Sequence, residues 1–218
     1  MDDVFAQVSV LGASGVLIFA IVVLWRHGVM AYISAFRWQS NVLAALTAAV
    51  AYFGHDRDLY WVAALMVVVK GVAIPRLLTR LARRVATSRE AEPFVNTATS
   101  LVLAGLLILL AHAAARPLLE MSSAPTRAAI PLAIGLLFVS LFVIVSRKKA
   151  ITQVIGFLML ENAIALLAVL ATYGVPLVVE LGVFLDAMMG FLVMQIFVYD
   201  IHDTFDTVDV DALNRLKH

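Results

Sequence analysis

The sequence predicts an all-α membrane protein of about seven transmembrane helices, with the N-terminus outside and the C-terminus cytoplasmic. Three observations predict it. The 218-residue chain is 63% hydrophobic and 14% charged, with a mean hydropathy of +0.98, whereas a soluble domain is nearer half apolar and about a quarter charged. Several apolar stretches reach the roughly 20 residues that a helix needs to cross a bilayer. The basic residues fall on alternate sides of those stretches, although the net charge is only +1.

The expected spans are 4–25, 38–54, 59–78, 94–113, 128–146, 150–172 and 176–199. The opening MDDVFAQVSV carries acids and no basic n-region, so it reads as a first helix that stays rather than a cleaved signal peptide. The second span is short, with Arg37, Gln39 and Asn41 crowding its start; the alternative is a start near Val29 with Arg37 inside a bundle. Between spans lie Arg26-His27-Gly28, the polar turn Gly54 to Asp58, the basic connection Arg76 to Glu92, and a Pro-containing segment from Arg116 to Arg127. The last two breaks, Arg147-Lys148-Lys149 and Tyr173 to Pro176, are short enough to make the final three helices antiparallel neighbours. Segment 76–92 is basic, then acidic; it is expected either as a solvated connector or as an amphipathic helix along the cytoplasmic surface.

With the N-terminus outside, the inner segments hold Arg26, Arg37, Arg76, Arg80, Arg83, Arg84, Arg89, Arg147, Lys148, Lys149, Arg215 and Lys217. The outer ones hold Arg57, Arg116 and Arg127. This is the positive-inside pattern, and six or eight spans would break it. The implied location is a bacterial or archaeal cytoplasmic membrane. Three regions follow: 1–127 with four helices, 128–199 with three, and an acidic tail at 200–218.

The chain has no cysteine, which excludes disulfides and thiolate-held zinc or iron–sulfur clusters. The histidines, His27, His55, His112, His202 and His218, are expected near helix ends or in connections, without ligand spacing. No cofactor and no metal are therefore expected. The last span lacks the lysine of a retinal protein. Walker A, GxSxG and HExxH motifs are absent, and nothing points to nucleic acid.

Charge at the bilayer centre costs roughly 2.5–3.5 kcal/mol on insertion scales, so ionisable residues within spans are the candidate functional residues. They are Lys70, Glu161, Glu180 and Asp186. At about 1.5 Å per residue, Glu161 lies roughly 16 Å below the outer turn and Asp186 roughly 15 Å below it. Lys70 is again roughly 16 Å from the outer surface, which brings two acids and a base to one level. Glu180 lies nearer the outside. Such a set can relay a proton or change charge state when a helix moves. The competing roles are structural: Lys70 can snorkel toward Arg76, and Asp186 and the Glu161-Asn162 pair can bond between helices. Ser14, Asn41, Thr47, Gln153 and Gln195 fit interhelical bonding alone. In the tail, Asp200, Asp203, Asp206 and Asp209 recur every third residue just inside the membrane. They mark either a docking element for a protein partner or a solvated end.

The stretch RKKAITQVIGFLMLENAIALLAVLATYGVPLVVELGVFLD, from Arg147 to Asp186, resembles the NuoK/MrpC-like three-helix subunits of complex I and of multisubunit cation/proton antiporters. With four preceding spans and the ending FDTVDVDALNRLKH, the whole chain resembles hydrogenase-4 component E (HyfE-like) of formate hydrogenlyase-type complexes. The resemblance implies a non-catalytic membrane-arm subunit beside antiporter-like and other membrane subunits. It also implies a share in moving protons or sodium, coupled to electron transfer elsewhere. NuoK-like proteins carry a membrane Glu in their second and third helices. Aligned on Ile155-Gly156 and Asn162-Ala163, Leu158 occupies the first position, with Glu161 three residues on, and Asp186 falls near the second. A stand-alone transporter or channel and a purely structural scaffold are the competing readings.

Overall fold

The computed structural model describes residues 2–84, 95–121, 125–147, 150–172 and 190. The chain divides into two compact units, Met1–Glu180 and Leu181–His218, and the helices below belong to the first. In chain order they are α1 (Asp2–Trp25), α2 (Val29–Gly54), α3 (Asp58–Met66), a π-helical segment (Val67–Ala73), α4 (Ile74–Arg84), α5 (Thr97–Met121), a 3₁₀ turn (Pro125–Ala129), α6 (Ile130–Ser146) and α7 (Ala150–Thr172). Among the described residues, five helices are long and apolar enough to cross a membrane: Asp3–Trp25, Asp58–Arg83, Thr97–Glu120, Pro125–Ser146 and Ile151–Ala171. α2 is a sixth long helix of 26 residues that is not among those five. The chain is thus an all-α, multi-pass integral membrane protein. Apart from residue 190, the expected span 176–199 lies outside the described residues, as do Glu180, Asp186 and the tail.

The structure corrects three expectations. The second helix begins at Val29 rather than residue 38, but Arg37 is exposed and not inside the bundle. The third span does not end at 78; it continues through α4 without a break, so Arg76, Arg80 and Arg83 stand on the projecting end of a membrane helix. The fourth runs from Thr97 to Met121, which places His112 within α5 rather than near its end.

Each boundary has a local cause. Gly28 opens α2 at φ 134°, a backbone state closed to most side chains. His55 ends α2 in the left-handed conformation, its N–H bonded to the Ala51 carbonyl. Asp56 Oδ1 then accepts the Asp58 N–H at 2.9 Å, starting α3. The Asn96 side chain caps α5 by accepting the Thr99 N–H at 2.8 Å.

Packing follows helical periodicity. In α1, Phe5, Ser9, Ala13, Val16, Ala20 and Val23 are buried, while Val4, Leu11, Ile18 and Trp25 are exposed on the opposite face. On α5, Ser100, Ala104, Ala111 and Ala115 form a small-residue seam, and Gly135 of α6 meets Ile108 and Ala111. Gly156 lets α7 approach the α6 backbone, since a Cβ there would lie 3.1 Å from the Ile144 nitrogen and 2.8 Å from its Cγ1. The 3₁₀ turn is pinned by Thr126, whose hydroxyl donates to the Leu170 carbonyl at 2.6 Å.

A basic residue closes one end of the bundle. Arg147, expected in a three-residue basic turn, is 2% exposed. Its Nη2 donates to the Val23 carbonyl at 3.2 Å, its guanidinium stands 5.2 Å from the Tyr32 ring centroid, and Gln153 donates to its carbonyl at 2.9 Å. One side chain therefore ties the α6–α7 turn to α1 and α2. Burial draws the guanidinium below the ordinary arginine value, which the Tyr32 phenol opposes. Replacing Arg147 with Gln is expected to cost about 2 kcal/mol, from a charged hydrogen bond and a cation–π contact. Thermal unfolding in detergent checks this, with Arg147→Lys intermediate.

Candidate functional site

Halfway along the bundle, Lys70 Nζ lies 3.0 Å from Glu161 Oε1, with the two side chains 2% and 5% exposed. Glu161 is eleven residues from each end of α7, so it stands at mid-height. The geometry excludes snorkelling for Lys70: its ammonium points to the carboxylate and not to the basic end of α4.

The π-helical segment Val67–Ala73 explains the position of Lys70. Ahead of it, buried positions recur at Leu59 and Ala63 and lead on to Lys70. Behind it, they run Gly71, Pro75, Leu78 and Leu81. Each series has helical spacing, but the second is displaced by one residue. A π turn absorbs one extra residue, so two neighbours, Lys70 and Gly71, both face inward. Gly71 gives room to α2: a Cβ there would meet the Asn41 side-chain oxygen, which would have to shift.

Three consecutive polar residues of α2 support the site from the other side. Asn162, next to Glu161, donates from Nδ2 to Gln39 Oε1 at 3.1 Å and to Ser40 Oγ at 3.0 Å. Gln39 in turn donates to the Val16 carbonyl of α1 at 3.2 Å. Asn41, beside them, packs on Gly71. Two turns further along α2, the Thr47 hydroxyl bonds to the Leu43 carbonyl at 3.0 Å and approaches the Met66 sulfur at 3.8 Å. Buried amides and hydroxyls thus fix the helices that carry the two charges.

Of the sequence candidates, the structure joins Lys70 with Glu161; Glu180 and Asp186 lie outside the described residues. Leu158, in the position that the family resemblance gives to an acid, is fully buried one turn from Glu161. Sequence reasoning missed the linking role of Gln39 and Ser40, and the π turn. The available signal was Gly71 directly after a membrane lysine. Among the described residues, no three His, Cys, Asp or Glu side chains come together as a metal site.

Chemically, the pair has two states of equal total charge, ammonium–carboxylate and amine–carboxylic acid. They differ by one proton moved across a single hydrogen bond. Away from water, either state depends on the partner, so separating the helices changes the charge each can carry.

No family model matches the chain, and no solved structure does. The chain is similar to the uncharacterized protein Rv0085 of Mycobacterium tuberculosis, 34% identical over 206 residues and covering 94% of both chains. It is also similar to hydrogenase-4 component E of Escherichia coli and of Shigella flexneri, 28% identical over 180 residues, covering 82% of this chain and 83% of the relative. The chain belongs to the same protein family as Rv0085.

Proposed function

We propose that this chain is a non-redox membrane-arm subunit of a hydrogenase-4-like, complex I-related assembly, and that Lys70 and Glu161 couple its helices to proton or sodium movement. The observation that carries the reading is the buried 3.0 Å contact between Lys70 and Glu161 at mid-height. A charge pair at that depth is costly, and such pairs mark ion pathways and coupling elements. The hydrogenase-4 relatives supply the type of complex. Asp186 extends the relay on the next span, with Glu180 toward the outside, and residues 128–199 act as the NuoK-like unit. The N-terminus faces out and the acidic tail faces a cytoplasmic redox arm. Antiporter-like subunits are its neighbours, in a bacterial or archaeal cytoplasmic membrane.

The test is Glu161→Gln in the native membrane. The assembled complex is expected to persist on native gels while ion translocation in inverted vesicles falls about tenfold or more. Wild-type translocation contradicts the reading. Loss of assembly with normal coupling in what remains assigns the pair a scaffold role instead.

A further inference from the structure

Arg37 is an exposed charge on α2, level with the interior of α7, one of the helices apolar enough to cross a membrane. The bonds from Asn162 to Gln39 and Ser40 fix the height of α2 against α7. Asn162 is twelve residues from the start of α7, roughly 18 Å along its axis. Arg37 lies two to three residues nearer that end than Gln39 and Ser40, so roughly 14 Å from it. A hydrocarbon core of about 30 Å encloses that position even after the side chain reaches several ångströms toward the nearer interface. Yet Arg37 is exposed, and no described contact neutralises it. Charged residues at such depth face protein or a polar cavity, not lipid.

The surrounding face matches. Met30, Ser34, Arg37, Trp38, Ala45 and Tyr52 are exposed along one side of α2, with Met30 46% and Trp38 56% exposed. Meanwhile α2 packs against α1, the α3–α4 rod and α7 through its other sides. A hydroxyl, a guanidinium and a small residue stand in the middle of this face, where the exposed residues of α1 are Leu11 and Ile18.

We propose that this face of α2 seats a transmembrane helix of another subunit, one that presents an aspartate or glutamate to Arg37. Charge complementarity selects the partner: a carboxylate in the membrane plane neutralises the guanidinium, and Arg offers it paired donors. The inference rests on the reading of the chain as one subunit of a multi-subunit membrane complex, and it names which face meets the neighbour.

The experiment places a benzophenone photocrosslinker at Ser34, Trp38 or Ala45 of the full chain in native membranes, with Leu11 and Ile18 of α1 as controls. The expected result is an adduct from the α2 positions to another membrane subunit, mapping within a helical turn of an Asp or Glu. Arg37→Glu should then lower co-purification of that subunit at least about tenfold, and lysine at the mapped carboxylate should restore it. Thermal unfolding of the isolated Arg37→Glu chain should match wild type, since the residue is exposed. Adducts only to lipid, adducts only to the chain's own residues 173–199, or unchanged co-purification of Arg37→Glu each overturn the inference. If the wild-type chain co-purifies with no membrane subunit at all, the proposed function fails with it. If it co-purifies but cross-links through other faces, only the docking assignment fails.

Discussion

Removing either charge of the Lys70–Glu161 pair is expected to destabilise the bundle by about 3–5 kcal/mol, while removing both is expected to restore most of that loss. Both side chains are almost wholly enclosed and 3.0 Å apart. Lys70→Met leaves a buried carboxylate, and Glu161→Met leaves a buried ammonium; each must lose its charge or open the packing to water. The double variant Lys70→Met/Glu161→Met removes the desolvation cost with the attraction, and methionine fills irregular space readily. Thermal unfolding of the three variants in detergent gives the coupling as a double-mutant cycle. Additive losses contradict a direct pair.

Deletion of Val68 should regularise a helix and break the site. The π segment holds one residue more than an α-helical register requires. Without Val68, the buried series from Leu59 and Ala63 runs directly into Gly71, Pro75, Leu78 and Leu81. Lys70 then turns about 100° off the seam. The contacts of α2 with both halves of the rod are kept, but Glu161 loses its cation. The expected cost is again about 3–5 kcal/mol, from the unpaired carboxylate rather than from misfolding. Adding Glu161→Met to the deletion should recover most of it. If the second change gives no recovery, the π turn has another role.

The membrane character and most helices were legible because a bilayer imposes length and hydropathy on each span, and basic residues punctuate them. The level of Lys70 and Glu161 was legible for a related reason: helical rise converts sequence distance into depth. What sequence did not show depends on direction around an axis. Arg147 read only as part of a short basic turn, yet the convergence of α1, α2, α6 and α7 encloses it. Arg37 was expected inside if α2 began at Val29; the helix does begin there, but the inward positions went to Gln39 and Ser40. The π turn was hidden because no residue forbids an α-helix at Val67–Ala73. Only the one-residue displacement of the buried series reveals it.

The claim that the buried pair couples ion movement, beyond holding helices together, is tested most directly by the double variant Lys70→Met/Glu161→Met in the assembled complex. The measurement is the ion gradient built across inverted vesicles per electron pair transferred. The double variant is expected to assemble at wild-type level and turn over electrons with the gradient reduced about tenfold or more. A wild-type gradient from a chain lacking both charges would show that Lys70 and Glu161 only pack the bundle.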